Sequence, residues 1–164
     1  MNNDITDGYI KFVSGRAPYA QAYIKGSNAF PNIRGYVNFY NLENSVLVTA
    51  YIKGLPTSDD ICKQPIFGFH IHEGRTCTGN SADPFANTGG HFNPTSCLHP
   101  YHAGDMPSLF GVYGEAWTSF VTGRFAINDI IGRTVIIHEH PDDFTHQPSG
   151  NSGKKIACGV IRKL

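Results

Sequence analysis

The 164-residue sequence has no apolar run long enough to span a bilayer. Residues 1–8 contain neither a basic region nor an apolar stretch, so they do not resemble a secretory signal. No Asn-x-Ser/Thr glycosylation sequence is present either, because Pro94 disqualifies the candidate at residues 93–95. These absences predict no membrane association and, by default, an intracellular location.

The chain also has no excess of charge of either sign. Its 13 Lys and Arg residues balance 13 Asp and Glu residues, which gives a formal net charge of zero. No bulk electrostatic field is therefore expected to attract nucleic acid or an anionic membrane. Any steering of an anionic ligand must come from local charges.

Long helical patterns are missing as well. We find no amphipathic helix longer than ~10 residues, no internal repeat and no low-complexity segment. Instead, 18 glycines and 10 prolines separate short apolar runs, and residues 46–52 alternate at period two. Strands are predicted at residues 9–13, 21–24, 33–40, 45–52, 66–72, 112–120, 134–138 and 156–161, and residues 124–129 are ambiguous. This pattern predicts a single all-β domain over residues 1–164, an antiparallel sandwich or barrel.

Histidine is the most informative residue that is present. Five of the eight histidines fall between residues 67 and 105. His70 and His72 lie in a segment rich in β-branched and aromatic residues, which predicts a strand. Residues two apart on a strand point to the same face, about 6.6 Å apart, so two imidazoles can converge on one metal ion. Two neighbouring surface histidines on a sheet would give the same pattern.

A turn-rich loop adds further potential ligands. It contains His99, His102 and Asp105, and His91 lies between them and the first pair. Two or three histidines with one aspartate suit tetrahedral zinc, whereas a set made only of imidazoles suits copper. Because imidazole has two ring nitrogens, His91 can hold one metal ion on each.

Five blocks of the sequence resemble the copper/zinc superoxide dismutase family and occur in that family's order. They are His-Ile-His-Glu at 70–73, Gly-His-Phe-Asn-Pro at 90–94, His-Ala-Gly-Asp at 102–105, Ile-Gly-Arg-Thr-Val-Ile-Ile-His-Glu at 131–139, and Gly-Asn-Ser-Gly at 150–153 followed by Ala-Cys-Gly-Val-Ile at 157–161. The resemblance implies an eight-stranded Greek-key barrel with two long functional loops, at residues 77–105 and 139–155. Their lengths look closer to those of bacterial members.

The resemblance also implies two metal ions and an activity. The implied copper ligands are His70, His72, His91 and His138. The implied zinc ligands are His91, His99, His102 and Asp105. His91 would bridge the ions as an imidazolate. Superoxide would be converted to dioxygen and hydrogen peroxide by copper that changes oxidation state, while the imidazole of His91 takes up and returns a proton.

Two further residues receive roles by resemblance. Asp142, with Asp143 as the alternative, matches an aspartate that accepts hydrogen bonds from one copper histidine and one zinc histidine. Lys155 stands where the family usually has an arginine that attracts and orients the anion beside copper. Lysine keeps the charge but lacks the planar donor fork, so we expect activity with weaker substrate positioning. His140 and His146 have no family counterpart and are expected to be solvated.

The chain has four cysteines. An intracellular context argues against disulfides, but the resemblance implies one between Cys77 and Cys158. Cys97 lies among the implied zinc ligands, and thiolates bind zinc, yet the family has no cysteine ligand there. We therefore expect Cys97 to be a free thiol, and Cys62 has no implied role.

These features favour an enzyme, a superoxide dismutase. The alternative is a non-catalytic relative that binds zinc, buffers copper or competes for copper delivery. Degenerate relatives typically lose a copper histidine, whereas this chain keeps all four. The expected partners are superoxide and, as is common in the family, a second copy of the chain, contacted near residues 130–132 and the C-terminus.

Overall fold

The computed structural model of the protein describes residues 15–164 and, at Ile61, the backbone alone. The strands are β1 (Ala20–Gly26), β2 (Arg34–Asn41), β3 (Val46–Lys53), β4 (Ile66–Phe67), β5 (Phe69–His72), β6 (Leu109–Phe110), β7 (Glu115–Thr122), β8 (Thr134–His138) and β9 (Lys155–Lys163). The helical segments in this range are the 3-10 turns Ile61–Lys63 and Ala86–Thr88 and one α-helical turn, α1 (Ile127–Ile130). The predicted all-β class is confirmed.

Seven of these strands form one antiparallel sheet in the order β5-β8-β9-β1-β2-β3-β7. β2 and β3 pair from Arg34 opposite Lys53 to Asn41 opposite Val46. Strands β1 to β3 follow one another as hairpins, whereas β8 and β9 enter between β5 and β1 by longer connections. The sheet therefore places β5 and β8, which carry the first histidine motif and His138, side by side.

A short ribbon joins the two edges of this sheet. β4 pairs with β6, and Phe67 lies opposite Leu109. β4 leads into β5 across Gly68, and β6 leads into β7 through a turn closed by a bridge between Val112 and Glu115. The sheet consequently curls on itself, with its apolar face inside.

The core follows from the alternation that the sequence displays. Val46, Val48, Ala50 and Ile52 of β3 are each at most 2% exposed and belong to the main apolar cluster. The largest fully buried side chains are Phe39, Phe67, Phe69, Ile24, Ile33, Ile52, Ile71, Leu109, Ile127, Ile130, Ile136 and Ile137. Burying one such side chain contributes about 1.5–3 kcal/mol, so this core can hold the sheet while polar loops leave it.

The strand predicted at residues 66–72 is interrupted at Gly68, which corrects the prediction. The Gly68 N–H donates to the carbonyl of His140 at 2.7 Å, and the Gly68 carbonyl accepts from the His138 N–H at 2.8 Å. A Cβ at position 68 would lie 2.8 Å from the Ser152 side chain. The interruption therefore lets the loop after β8 approach the start of β5.

The strand predicted at residues 112–120 begins later, at Glu115. The residues before it form a turn in which Tyr113 and Gly114 have positive φ angles of 51° and 79°. The ambiguous stretch at residues 124–129 leads into α1.

The predicted run at residues 9–13 lies outside the described residues. The count of eight strands, the Greek-key connection and the extent of a single domain remain predictions. No helix within residues 15–164 is both long and apolar enough to cross a bilayer.

Candidate metal centre

Three of the implied copper ligands lie on two neighbouring strands. His70 and His72 belong to β5, and His138 is the last residue of β8. In the ladder, Ile136 lies opposite His70 and Thr134 opposite His72. Alternation along β5 turns the two histidines to one face. Nε2 of His72 lies 3.2 Å from Nε2 of His138, so the two strands bring these rings together.

Backbone contacts fasten the loop at residues 77–105 to β5. The Ile71 N–H donates to the Gly104 carbonyl at 2.9 Å, and isolated bridges join β5 to His91 and Asp105. Gly104 is needed for this approach, because a Cβ there would lie 2.2 Å from the Ile71 carbonyl oxygen. The loop thereby carries an imidazole and a carboxylate to the histidines of β5.

One potential metal site contains only imidazoles, and we call it the four-histidine cluster. It consists of His70, His72, His91 and His138. One ligand atom from each residue lies within 4.8 Å of the others, and all four residues are buried. The ring of His91 stacks on the ring of His70 with 3.9 Å between centroids.

A second potential site, the mixed cluster, contains a carboxylate. It consists of His91, His99, His102 and Asp105, again with ligand atoms within 4.8 Å of one another. Oδ1 of Asp105 lies 2.7 Å from Nδ1 of His91. Oδ2 of Asp105 lies 3.1 Å from Nδ1 of His99 and 3.3 Å from Nδ1 of His102. The two clusters therefore share one imidazole, that of His91.

Several ring nitrogens in the two clusters are buried without a hydrogen-bond partner. They are Nδ1 of His70, Nε2 of His91, Nδ1 of His99 and Nδ1 of His102. The last two lie near Asp105, but without the alignment of a hydrogen bond. An unsatisfied buried polar atom costs about 1–3 kcal/mol, and a metal ion would satisfy each of these nitrogens. The residues present therefore fit metal ions in both clusters.

The opposite nitrogens of the same rings are held by the protein. Nδ1 of His72 donates to the Gly89 carbonyl at 2.9 Å, and Nδ1 of His138 donates to the Gly153 carbonyl at 3.2 Å. Hydrogen bonds of this kind fix the tautomer and orientation of metal-binding histidines. In both rings Nε2 is the nitrogen left for a metal.

Asp142 connects the two clusters through a single carboxylate. Oδ2 accepts from Nε2 of His70 at 2.7 Å, and Oδ1 accepts from Nε2 of His99 at 2.9 Å. Gly150, with φ of 69°, leaves room for this carboxylate, because a Cβ there would lie 2.0 Å from Asp142 Oδ1. These are the two kinds of contact that the resemblance implied for Asp142.

Burial and hydrogen bonding shift the pKa values of three histidines and two aspartates at the site. Burial lowers the pKa of His70 to about 4 and that of His138 to about 3, and it holds the pKa of His72 well below its usual range. Burial alone would raise the pKa of Asp142 and Asp105, but hydrogen bonds from His70 and His91 respectively lower both, to about 2 for Asp142. Neutral imidazoles and ionised carboxylates are the forms that bind metal ions.

Comparison with known proteins agrees with this geometry. A family profile described as copper/zinc superoxide dismutase (SODC) matches residues 33–161, well over half of the chain. The chain belongs to the copper/zinc superoxide dismutase family. It is 32% identical over 157 residues to superoxide dismutase (Cu-Zn) 2 of Aquifex aeolicus (strain VF5), a match that covers 87% of this chain and 86% of that protein. It is 30% identical over 159 residues to superoxide dismutase (Cu-Zn) 3 of Arabidopsis thaliana, covering 87% and 88%.

The fold is shared with solved structures as well. The crystal structure of a double mutant of a superoxide dismutase-like protein from Bacillus subtilis has a TM-score of 0.73 at 27% identity, covering 87% of this chain and 96% of that chain. The family resemblance found in the sequence is thus confirmed. Family membership implies copper and zinc as the metals of the two clusters.

The disulfide that the resemblance implied is present between Cys77 and Cys158. It connects two cysteines 81 positions apart and ties the start of the loop at residues 77–105 to β9. Cys158 packs with Phe85 and Ile136 in a second apolar cluster. Closing a loop of this size stabilises the fold by roughly 4 kcal/mol in the chain-entropy model.

The cysteines and histidines that were given no metal-binding role lie outside the two clusters. Cys62 and Cys97 are free and exposed. Nε2 of His140 lies 3.9 Å from Oε2 of Glu139, and Nδ1 of His146 lies 2.5 Å from Oδ2 of Asp143. Both histidines are outside the two clusters.

Lys155 lies beside the four-histidine cluster but is already paired. It is opposite His138 in the β8–β9 ladder. Its Nζ lies 3.2 Å from Asp83 Oδ2 and donates to the Phe85 carbonyl at 3.2 Å, and its side chain is 15% exposed. The sequence indicated the cation at this position but not its counter-ion.

Two further residues that hold the mixed cluster were not found from the sequence. Nη1 of Arg124 donates to three carbonyls of the loop, at 2.9, 3.3 and 3.4 Å; they belong to Pro100, His102 and Asp105. The Gln147 amide accepts from the His99 N–H at 3.0 Å and donates to the His99 carbonyl at 2.7 Å. Single polar residues of this kind carry no periodic or motif signal.

Proposed function

We propose that this protein is a superoxide dismutase, with copper in the four-histidine cluster and zinc in the mixed cluster. The observation that carries the proposal is the buried imidazole of His91, which two complete sets of potential ligands share. Four imidazoles suit copper, and three imidazoles with a carboxylate suit zinc. In this assignment Asp142 fixes one histidine of each set.

When bound, copper would supply the one-electron redox chemistry by which two superoxide ions and two protons become dioxygen and hydrogen peroxide. Forming peroxide requires protons, and Nε2 of His91 is a buried nitrogen with no partner in the protein. Nδ1 of the same ring lies 2.7 Å from Asp105. His91 can therefore take up and release a proton at Nε2 while Nδ1 stays within the mixed cluster.

Attraction of the superoxide anion is assigned to Lys155. The chain has no net charge, so a nearby cation has to supply the steering field. Asp83 weakens this field, since its carboxylate holds the Lys155 ammonium against the loop and offsets part of its charge. This pairing fits the expectation of activity with weaker substrate positioning.

The test is metal analysis and a superoxide assay on copper-replete protein. We expect one copper and one zinc per chain and a rate constant on the order of 10⁸ M⁻¹s⁻¹, below the diffusion ceiling because substrate positioning is weaker. His140→Gln, a change at an exposed histidine outside both clusters, should leave both results unaltered. Bound metals without turnover would contradict the enzyme and support the non-catalytic alternative, a protein that buffers or competes for copper.

Homodimerisation is also proposed, from family membership. Of the surface expected to mediate it, Ile130 is fully buried and cannot contribute, whereas Leu164 is exposed. Light scattering of the protein as it elutes from a size-exclusion column measures its oligomeric state, and a monomer at micromolar concentration would refute the proposed homodimer. The intracellular location stays a prediction.

A further inference from the structure

The outer face of the sheet carries a row of exposed aromatic side chains across four adjacent strands. Tyr23 lies opposite Tyr36, Tyr36 opposite Tyr51, and Tyr51 opposite Trp117. These side chains are between 40% and 64% exposed. We call this set the aromatic row. It runs over β1, β2, β3 and β7, none of which carries a residue of either metal cluster.

The aromatic row is flanked on both sides by rows of different chemistry in the same register. The basic row, two positions along each strand, consists of Lys25, Arg34, Lys53 and Glu115. The amide and hydroxyl row, two positions the other way, consists of Gln21, Asn38, Thr49 and Ser119. Three parallel strips, one aromatic, one mainly cationic and one hydrogen-bonding, thus cross the same four strands; in the last of them Thr49 is buried, whereas Gln21 and Asn38 are partly exposed.

Contacts within the strips keep the rings in place. The ammonium groups of Lys25 and Lys53 lie 5.4 and 5.1 Å from the ring centroids of Tyr23 and Tyr51. The Tyr51 hydroxyl donates to Glu115 at 2.7 Å. Three cations against one carboxylate leave the basic row with a local excess of positive charge, on a chain whose net charge is zero.

We propose that this face binds an acidic polysaccharide, a chain of sugar rings that bear carboxylate or sulfate groups. Aromatic faces stack on the apolar faces of sugar rings, and neighbouring strands are ~4.8 Å apart, close to the length of one sugar residue. Successive aromatic rings can therefore meet successive sugars. The basic row would pair with the acid groups, and the partly exposed amides of Gln21 and Asn38 would bond to the sugar hydroxyls.

The three strips favour this ligand over other partners. A neutral polysaccharide would leave the basic row without counter-ions. Single-stranded DNA can stack its bases on the same rings, but it has no row of hydroxyl groups to meet the amide side chains of Gln21 and Asn38, which the sugars of a polysaccharide offer. A second copy of the chain would place no acidic strip against the basic one.

The experiment is electrophoresis of the full native chain through gels that contain polygalacturonate, with a neutral polysaccharide as the matched matrix. We expect retardation only by polygalacturonate, decreasing as salt rises. Trp117→Ala and Arg34→Gln should each weaken binding about tenfold, and Arg34→Gln should also flatten the salt dependence. Phe110→Ala is the control, since Phe110 is 68% exposed on β6, outside the three strips. Circular dichroism checks that each variant is folded.

Three outcomes overturn the proposal. The first is no retardation by polygalacturonate, or equal retardation by the neutral matrix. The second is unchanged binding of the folded Trp117→Ala protein. The third is a different occupant, seen either as tighter binding of single-stranded oligothymidylate or as a dimer that Trp117→Ala dissociates. None of these readouts involves superoxide, so they are independent of the proposed enzymatic function.

Discussion

The two metal clusters differ in the secondary structure that carries their potential ligands. Three members of the four-histidine cluster, His70, His72 and His138, stand on paired strands whose backbone ladder runs through the sheet. In the mixed cluster, His99 and His102 lie in a loop without strand or helix. Their positions depend on Arg124, Gln147 and Asp142, which reach them from other segments.

The difference separates two ways of preorganising a site. A strand places ligands by its own two-residue repeat and by cross-strand pairing, so the four-histidine cluster inherits the rigidity of the core. A loop has no such repeat and needs side chains from elsewhere to fix it. The clusters should therefore respond differently to perturbation, except where His91 and Asp142 couple them.

The largest effect is expected at the shared imidazole. His91→Ala removes a ligand from both clusters, so we expect loss of copper, zinc and dismutase activity. The drop in metal affinity should exceed the ~10–100-fold drop that follows when a residue hydrogen-bonded to a ligand is replaced. His138→Ala is the matched variant, because it should lose copper and retain zinc. Metal analysis of the two proteins decides, and zinc retained by His91→Ala would contradict the sharing.

Acid should destabilise the metal-free protein through the four-histidine cluster. Burial lowers the pKa of His70 from 6.5 to about 4, so below pH 6.5 the unfolded chain takes up a proton that the folded chain excludes. The contribution of His70 to the free energy of unfolding is therefore fully present above pH 6.5 and is lost as the pH falls toward 4. For His70 alone this loss is on the order of 3 kcal/mol. Urea unfolding at several pH values measures this. His70→Gln should reduce the dependence, His140→Gln should not, and equal curves would refute the cause.

Replacing the carboxylate that links the clusters should weaken both. Asp142→Asn keeps the shape but loses one acceptor, and we expect roughly a 10–100-fold loss in affinity for each metal. The neighbouring Asp143→Asn is the control, because among the described contacts the Asp143 carboxylate bonds only to Thr145 and His146. Chelator competition gives both affinities, and a loss confined to one metal would show that the linkage does not operate.

A change in the loop support should affect one cluster only. Arg124→Ala removes three hydrogen bonds to loop carbonyls, so we expect about a tenfold lower zinc affinity with copper affinity little altered. Arg124→Lys keeps the charge but has a single donor nitrogen, so its zinc affinity should lie between those of the unmodified protein and Arg124→Ala. Equal losses of zinc and copper affinity would contradict the proposal that the loop ligands depend on Arg124 and the strand ligands do not.

The smallest effects are expected at the substrate cation. Lys155→Arg should raise the superoxide rate by about twofold to fivefold, because the guanidinium offers a planar donor fork. Asp83→Asn should also raise it and steepen its ionic-strength dependence, since the partial neutralisation of Lys155 is lost. Stopped-flow decay of superoxide at two salt concentrations measures both. No gain in either variant would count against the roles of Lys155 and Asp83.

Prediction from the residue pattern alone succeeded where the signal is local, whereas a long-range pair such as Cys77–Cys158 was implied only by the family resemblance. The alternation of β3 and the His-x-His pair of β5 lie within a few residues and reflect a repeat of two, so the strands and their faces were predictable. The interruption at Gly68 was not, because its cause is a hydrogen bond to His140, 72 residues further along. The contacts of Arg124, Gln147 and Asp83 were not predicted for the same reason, because their partners are distant in the sequence.

The sequence by itself determined the chemical inventory: enough imidazoles and carboxylates for two ions, the two-residue spacing that turns His70 and His72 to one face, and the apolar alternation that builds the sheet. The family resemblance implied that His91 is shared and that Asp142 contacts one histidine of each set; only the tertiary structure decided that those histidines are His70 and His99 and that Asp83 pairs with Lys155. The physical reason is distance along the chain. Local conformation is set by neighbouring residues, whereas these contacts exist only once the sheet has curled and brought distant loops to one place.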